Sequence, residues 1–294
     1  MLCPVVTRIA EVRAAVAAAR AAGRSIGFVP TMGALHAGHA ALVRAARASC
    51  GFVVVSVFVN PTQFGPTEDF ARYPRTLDAD REVCTAAGAD LVFAPGVEEM
   101  YPEGSVTAVE VKELDAVLCG PGRPGHFRGV CTVVAKLFNI VGPDVAYFGA
   151  KDFQQARIVR QMVRDLNFPV EIRVEPTVRE PDGLALSSRN RYLSPAERAA
   201  APAIYRALVN VKARAAAGEV DVARLETALA AELAAIPGAR VEYARIVDRE
   251  RLRPLARLDR PAVAAVAVFL GTTRLIDNLA LGPDECPTRS SDPT

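Results

Sequence analysis

Short runs of apolar, mostly β-branched residues recur through the first two-thirds of the chain, each followed by a helical segment. Ile26–Val29, Phe52–Val59, Leu91–Phe93, Val145–Phe148 and Val170–Val174 are strand-length, and most show no polar alternation. A strand with one wet face alternates, so strands of this kind belong inside a parallel sheet covered on both faces. Helices fall between them: one ending near Cys50, then about Leu77–Ala87, Val130–Val141 and Asp152–Leu166. Right-handed crossovers make this an α/β, Rossmann-like doubly wound parallel sheet.

The pattern changes after Arg191. Ser194 reads as an N-cap with Pro195 at the first helical position, and the helix ends before Gly218. A second helix spans Asp221–Leu233, and three closely spaced strands follow at Val241–Val247, Val263–Leu270 and Thr273–Asn278. Helices followed by such strands predict a smaller C-terminal α+β domain. The expected division is 1–186, 187–282 and a polar, proline-bearing disordered tail at 283–294.

Composition excludes several classes of function. Lys and Arg total 35 against 33 Asp and Glu, a formal net charge of +2, with no basic stripe for nucleic acid. The longest apolar run, Phe52–Val59, is too short to span a bilayer. The N-terminal residues read as an amphipathic helix without a secretory pattern. Six cysteines are scattered, with no CxxC pair and no metal-ligand spacing, as in a reducing cytoplasm.

Five segments carry candidate chemistry. Pro30–His39 joins the first strand to its helix, where free backbone N–H groups and the helix dipole attract phosphate. His36 and His39, three apart, share a face and suit phosphate oxygens; the plainer reading is two solvent-facing loop histidines. Asn60-Pro61-Thr62-Gln63 closes the second strand, so Gln63 faces the ligand crevice unless the segment is only a turn. Lys151 and Asp152 begin a helix, where a lysine opposes the dipole unless an anion is bound. Asp152 caps that helix or binds ribose, and Gln155 lies one turn along the same face. Ser187-Ser188-Arg189-Asn190 offers hydroxyls and a guanidinium to phosphate, or is a polar linker. Arg123–Val130 is a basic Gly-rich loop, fit for an anion or for simple connection. Asp78 and Asp80 are favourable first-turn acids, or one of them serves magnesium.

Together these segments resemble the pantothenate synthetases, within the HxGH nucleotidyltransferase group. PTMGALHAGH, FVNPTQFGPTEDF, YPRTLDAD, RPGHFRGV, GAKDFQQ and GLALSSRNRYLS stand in the family's order and spacing, from about Gly27 to Asn278. The GTTRLIDN segment also resembles the family's small domain. The resemblance implies ATP-dependent condensation of pantoate with β-alanine through a pantoyl adenylate. It implies ATP contacts at Met32, Gly33, Ala34, Leu35, His36, Ala37, Gly38 and His39. Further ATP contacts are implied at Gly149, Ala150, Lys151, Asp152, Val178, Leu186, Ser187, Ser188 and Arg189. His39, His36 and Lys151 would be catalytic, with His39 the proton donor, and Gln63 and Gln155 would hold substrate. Mg2+ is expected with ATP, its ligands unassigned, and a homodimer is expected. The family's usual glutamate before the lysine is Ala150 here. A lid at 66–75, with Tyr73, is expected to cover the adenylate. Other HxGH nucleotidyltransferases and a non-catalytic nucleotide sensor are the rival functions.

Overall fold

The computed structural model describes residues 2–66 and 68–282 and divides into two compact units, Met1–Val178 and Arg179–Thr294. The 283–294 tail lies outside the described residues.

In the first unit six strands form one sheet: β1 (Val5–Val6), β2 (Ile26–Thr31), β3 (Phe52–Val57), β4 (Leu91–Phe93), β5 (Val145–Gly149) and β6 (Glu171–Glu175). Its order is β1-β4-β3-β2-β5-β6, every pairing parallel. The helices are α1 (Ile9–Ala21), α2 (Ala37–Ser49), α3 (Leu77–Ala87), α4 (Val97–Met100), α5 (His126–Val141) and α6 (Phe153–Asp165). Phe28 and Val29, like Val53, Val54 and Val55, are consecutive and fully buried, so both faces of the sheet are covered. The Rossmann-like reading is correct. From β2 the chain winds outward through β3 and β4, then returns to place β5 on the other side of β2. That reversal leaves a crevice beyond the carboxyl ends of β3, β2 and β5.

Two local readings change. The N-terminal stretch is not helical throughout, because Val5 and Val6 pair with Val92 and Phe93 as an edge strand before α1 begins. Strand β3 stops at Val57, two residues early: the Phe58 N–H bonds to the Thr31 carbonyl and the chain then turns at Asn60.

The second unit holds α7 (Pro195–Ala200), α8 (Pro202–Ala216) and α9 (Val222–Ala234). Its strands β7 (Ala239–Asp248), β8 (Ala262–Leu270) and β9 (Thr273–Leu281) form an antiparallel sheet in that order. Leu208, Leu225 and Leu229 from the helices share a core with Ala264, Val266 and Val268 of β8. The compact unit begins ahead of residue 187, with residue 179 already part of it. Arg179 bridges Ala185, and its guanidinium grips Asp277 on β9 at 2.7 and 2.9 Å.

Candidate functional site

The loop after β2 is held in a shape its sequence does not favour. Gly33 and Ala34 both have positive φ, 81° and 52°, and for alanine this costs about 1–2 kcal/mol. The carboxylate of Asp80, on α3, offsets that cost. It accepts from the backbone N–H groups of Ala34 (3.0 Å) and Leu35 (2.7 Å) and from the Thr76 hydroxyl (3.2 Å). Asp80 is buried, and a Cβ on Gly33 would stand 2.9 Å from its Oδ2. Asp78 on the same helix is exposed. Asp80 is therefore engaged in shaping the loop, a role its position in the first turn of a helix did not reveal. Among the described residues no cluster of three or more His, Cys, Asp or Glu side chains is gathered for a metal ion.

His36 and His39 cap α2 reciprocally. His36 Nδ1 accepts from the Gly38 N–H (3.1 Å), and His39 Nδ1 accepts from the His36 N–H (3.4 Å). An imidazole that accepts at Nδ1 carries its proton on Nε2 when neutral, so both rings offer an Nε2–H. The ring centres lie 4.2 Å apart. Burial lowers the His39 pKa to about 3, with help from neighbouring His36 and Lys151 against the opposing pull of Asp152. At neutral pH His39 is an uncharged hydrogen-bond donor, and the segment after β5 brings Asp152 and Lys151, of opposing effect, near it.

That segment is a 3₁₀ turn, Ala150–Asp152, leading into α6. Lys151 Nζ lies 3.6 Å from Asp152 Oδ1, the lysine side chain mostly buried and the aspartate half exposed. Of the two glutamines that follow, Gln154 is structural. Its amide accepts from Cys119 N–H (3.0 Å) and donates to the Leu114 and Val117 carbonyls (2.8 and 2.7 Å). Gln155 is partly exposed on α6.

Gln63 ends a 3₁₀ turn, Pro61–Gln63, after β3. Buried Asn60 organises it. Asn60 Oδ1 accepts from the Thr62 hydroxyl (2.9 Å) and the Tyr101 hydroxyl (2.8 Å), and its Nδ2 donates to Gln63 Oε1 (3.0 Å) and the Gly129 carbonyl (3.1 Å). The Gln63 Nε2 donates to Met32 Sδ at 3.0 Å, which joins this turn to the loop after β2. Gly129 is obligatory because any Cβ would stand 2.3 Å from the Thr62 carbonyl oxygen. The basic loop at Arg123–Val130 serves the same turn. Arg123 chelates Glu68 at 2.8 and 2.5 Å, and His126 Nδ1 lies 2.8 Å from the Gln63 carbonyl. Tyr73, expected on a lid, is buried with its ring 5.9 Å from that of Phe64.

The structure thus gathers Met32–His39, Gln63 and Gly149–Asp152 beyond three adjacent strands of one sheet. Val178 closes the first unit. In the second, Leu186 precedes a 3₁₀ turn over Ser188–Tyr192, with Ser187 Oγ accepting from the Arg189 N–H (3.3 Å) and Ser188 buried. The turn is tied locally, with Asn190 Nδ2 donating to the Ala185 carbonyl at 3.1 Å.

Comparison with known proteins places the chain in one family. The family model for pantoate–β-alanine ligase matches residues 4–280. Pantothenate synthetase of Moorella thermoacetica is 58% identical over 273 residues, covering 93% of this chain and 96% of that one. The enzyme of Pseudomonas putida strain GB-1 is 56% identical over 282 residues, covering 95% and 98%. The crystal structure of pantothenate synthetase from Thermus thermophilus superposes with a TM-score of 0.89 at 54% identity, covering 94% and 98%. That of the pantoate–β-alanine ligase from Francisella tularensis, complexed with β-γ ATP and β-alanine, gives 0.77 at 33%, covering 94% and 97%. The chain belongs to the pantoate–β-alanine ligase family.

Proposed function

We propose that the chain joins pantoate to β-alanine in two steps at the end of its parallel sheet. A pantoate carboxylate oxygen attacks the α-phosphorus of ATP; the bond to the bridging oxygen breaks and pyrophosphate leaves. The β-alanine amine then attacks the acyl carbon of the adenylate, AMP departs and the new amide nitrogen loses a proton. Such transfers depend on positioning and on donors aimed at developing charge.

The supporting observation is the convergence of Gln63, the His36/His39 cap and Lys151 beyond the ends of β3, β2 and β5. On this reading the Nε2–H groups of His36 and His39 and the Lys151 ammonium face the phosphates, and Asp152 faces the ribose. An anion beside His39 would draw its pKa upward from the low value of the free protein, which makes proton donation accessible. Gln63 exchanges the weak Met32 sulfur acceptor for a substrate oxygen, with Gln155 as the second pantoate contact. Leu186–Arg189 and Val178 are read as further ATP contacts on family resemblance. Mg2+ would accompany the nucleotide, bound chiefly through phosphate oxygens and water, since Asp80 is engaged elsewhere. A cytoplasmic homodimer is part of the same reading, and its solution mass tests it.

The decisive measurement is ATP–pyrophosphate exchange. We expect exchange that needs pantoate and magnesium but not β-alanine, and AMP as the nucleotide product. Exchange that appears only with β-alanine, or ADP as product, would overturn the two-step order.

A further inference from the structure

The turn that carries Gln63 is weak by itself. Its own backbone bonds are long, Gln63 N–H to Asn60 O at 3.4 Å and Phe64 N–H to Pro61 O at 3.3 Å. What fixes the Gln63 main chain from outside is a line of three side chains. Glu68 receives two bonds from Arg123, Arg123 Nη1 lies 2.8 Å from His126 Nε2, and His126 Nδ1 lies 2.8 Å from the Gln63 carbonyl. The proton positions follow from chemistry. Arginine only donates and a carbonyl only accepts, so His126 accepts at Nε2 and donates from Nδ1, as a neutral ring. Burial and the adjacent guanidinium both favour that neutral state. Arg123 Nη2 also points at the Gln63 carbonyl, at 3.5 Å.

We propose that Arg123 and His126 are positioning residues for the ligation: anchored on Glu68, they hold the Gln63 carbonyl and so fix where its carboxamide meets pantoate and β-alanine. The inference rests on the reading that Gln63 binds those substrates. It gives Arg123 and His126 a task other than anion binding, because the Arg123 guanidinium is already committed to Glu68 and His126. It also joins the 66–75 segment to the substrate end of the site, since Glu68 lies in that segment and the Gln63 carbonyl ends the line.

The test is steady-state kinetics of Gln63→Ala, His126→Phe, His126→Asn and Glu68→Gln in the full-length protein, with melting temperatures alongside. His126→Phe keeps a ring and loses both hydrogen bonds. It should raise KM for pantoate and β-alanine about five- to tenfold, the worth of one buried hydrogen bond. KM for ATP should stay within about twofold, because a positioning loss confined to Gln63 leaves nucleotide binding intact. Asparagine supplies an N–H near the Nδ1 position, so His126→Asn should recover most of the loss. Glu68→Gln should raise the same two KM values alone, yet add nothing in the His126→Phe background, as members of one line are non-additive. If Gln63→Ala leaves both KM values unchanged, the Gln63 reading fails. If Gln63→Ala raises them and His126→Phe does not, or raises KM for ATP equally, the positioning proposal is overturned.

Discussion

Replacing Asp80 by asparagine tests the reasoning about the nucleotide loop most sharply. The substitution keeps shape and burial but exchanges one acceptor oxygen for an NH2 group. In the protein both carboxylate oxygens face backbone N–H donors, from Ala34 and Leu35. Whichever way the amide turns, one donor then confronts another. One charge-assisted bond is lost outright and its partner N–H is left unsatisfied, about 2–4 kcal/mol in total. Little intrinsic preference opposes relaxation, because alanine does not favour the positive φ that Ala34 adopts here. The urea midpoint should fall by about 1 M or more, given a slope near 2–3 kcal/mol per molar. Loosening the loop should also raise KM for ATP about tenfold, as the competent loop becomes a minor population. A variant with unchanged urea midpoint and unchanged KM for ATP would refute the role assigned to Asp80. Recovery by excess magnesium would instead make it a cation ligand.

Other consequences follow from the same geometry. His39 and His126 are held neutral, with pKa values lowered to about 3 and about 4, so below pH about 6.5 the unfolded chain takes up protons that the folded one refuses. Stability should therefore drop as pH falls from about 6.5 towards 4, by up to about 1.4 kcal/mol per unit for each histidine, and the slope should lessen in His39→Gln, measured by urea midpoints across that range. His39→Ala should slow single-turnover adenylate formation by about two to three powers of ten. Loss confined to ATP affinity in that variant would move the donor role to Lys151. Gly129→Ala drives a Cβ into the Thr62 carbonyl and should raise KM for both acid and amine substrates, even where calorimetry still shows a folded protein.

The parallel sheet was legible because its burial is written locally, in consecutive apolar runs such as Phe52–Val55. The helix-start histidines were visible for the same reason: a three-residue spacing at a strand-to-helix junction predicts a shared face. What escaped depends on partners distant in the chain. Strand β1 is two residues long and exists only through its pairing with β4, some 87 positions on. Asp80 and Asn60 looked like a first-turn acid and a strand-ending turn, and only the folded chain shows which backbone groups each one meets. The Arg123–Val130 segment stayed open between an anion loop and a simple connection, because its charges were visible and Glu68 was not yet beside them. Helical spacing set Gln155 on the Asp152 face, but the task of its neighbour Gln154, which holds Leu114, Val117 and Cys119, depends on residues distant in the chain.

The strand order has a consequence for how such a chain is made. On the ribosome β1, β2, β3 and β4 all emerge before β5 and can pair with one another, but the other edge of β2 waits for β5. Gly27 and Phe28 find Val145 and Ala146 only after more than a hundred further residues have been synthesised. Through that interval the nascent sheet presents β2 as an open edge, with Ile26, Phe28 and Val29 that the finished fold buries, the kind of surface that recruits another chain. Pausing translation before codon 145 should therefore leave the nascent chain dependent on chaperones, and release once β5 and β6 have emerged and covered that edge of β2 should end that dependence.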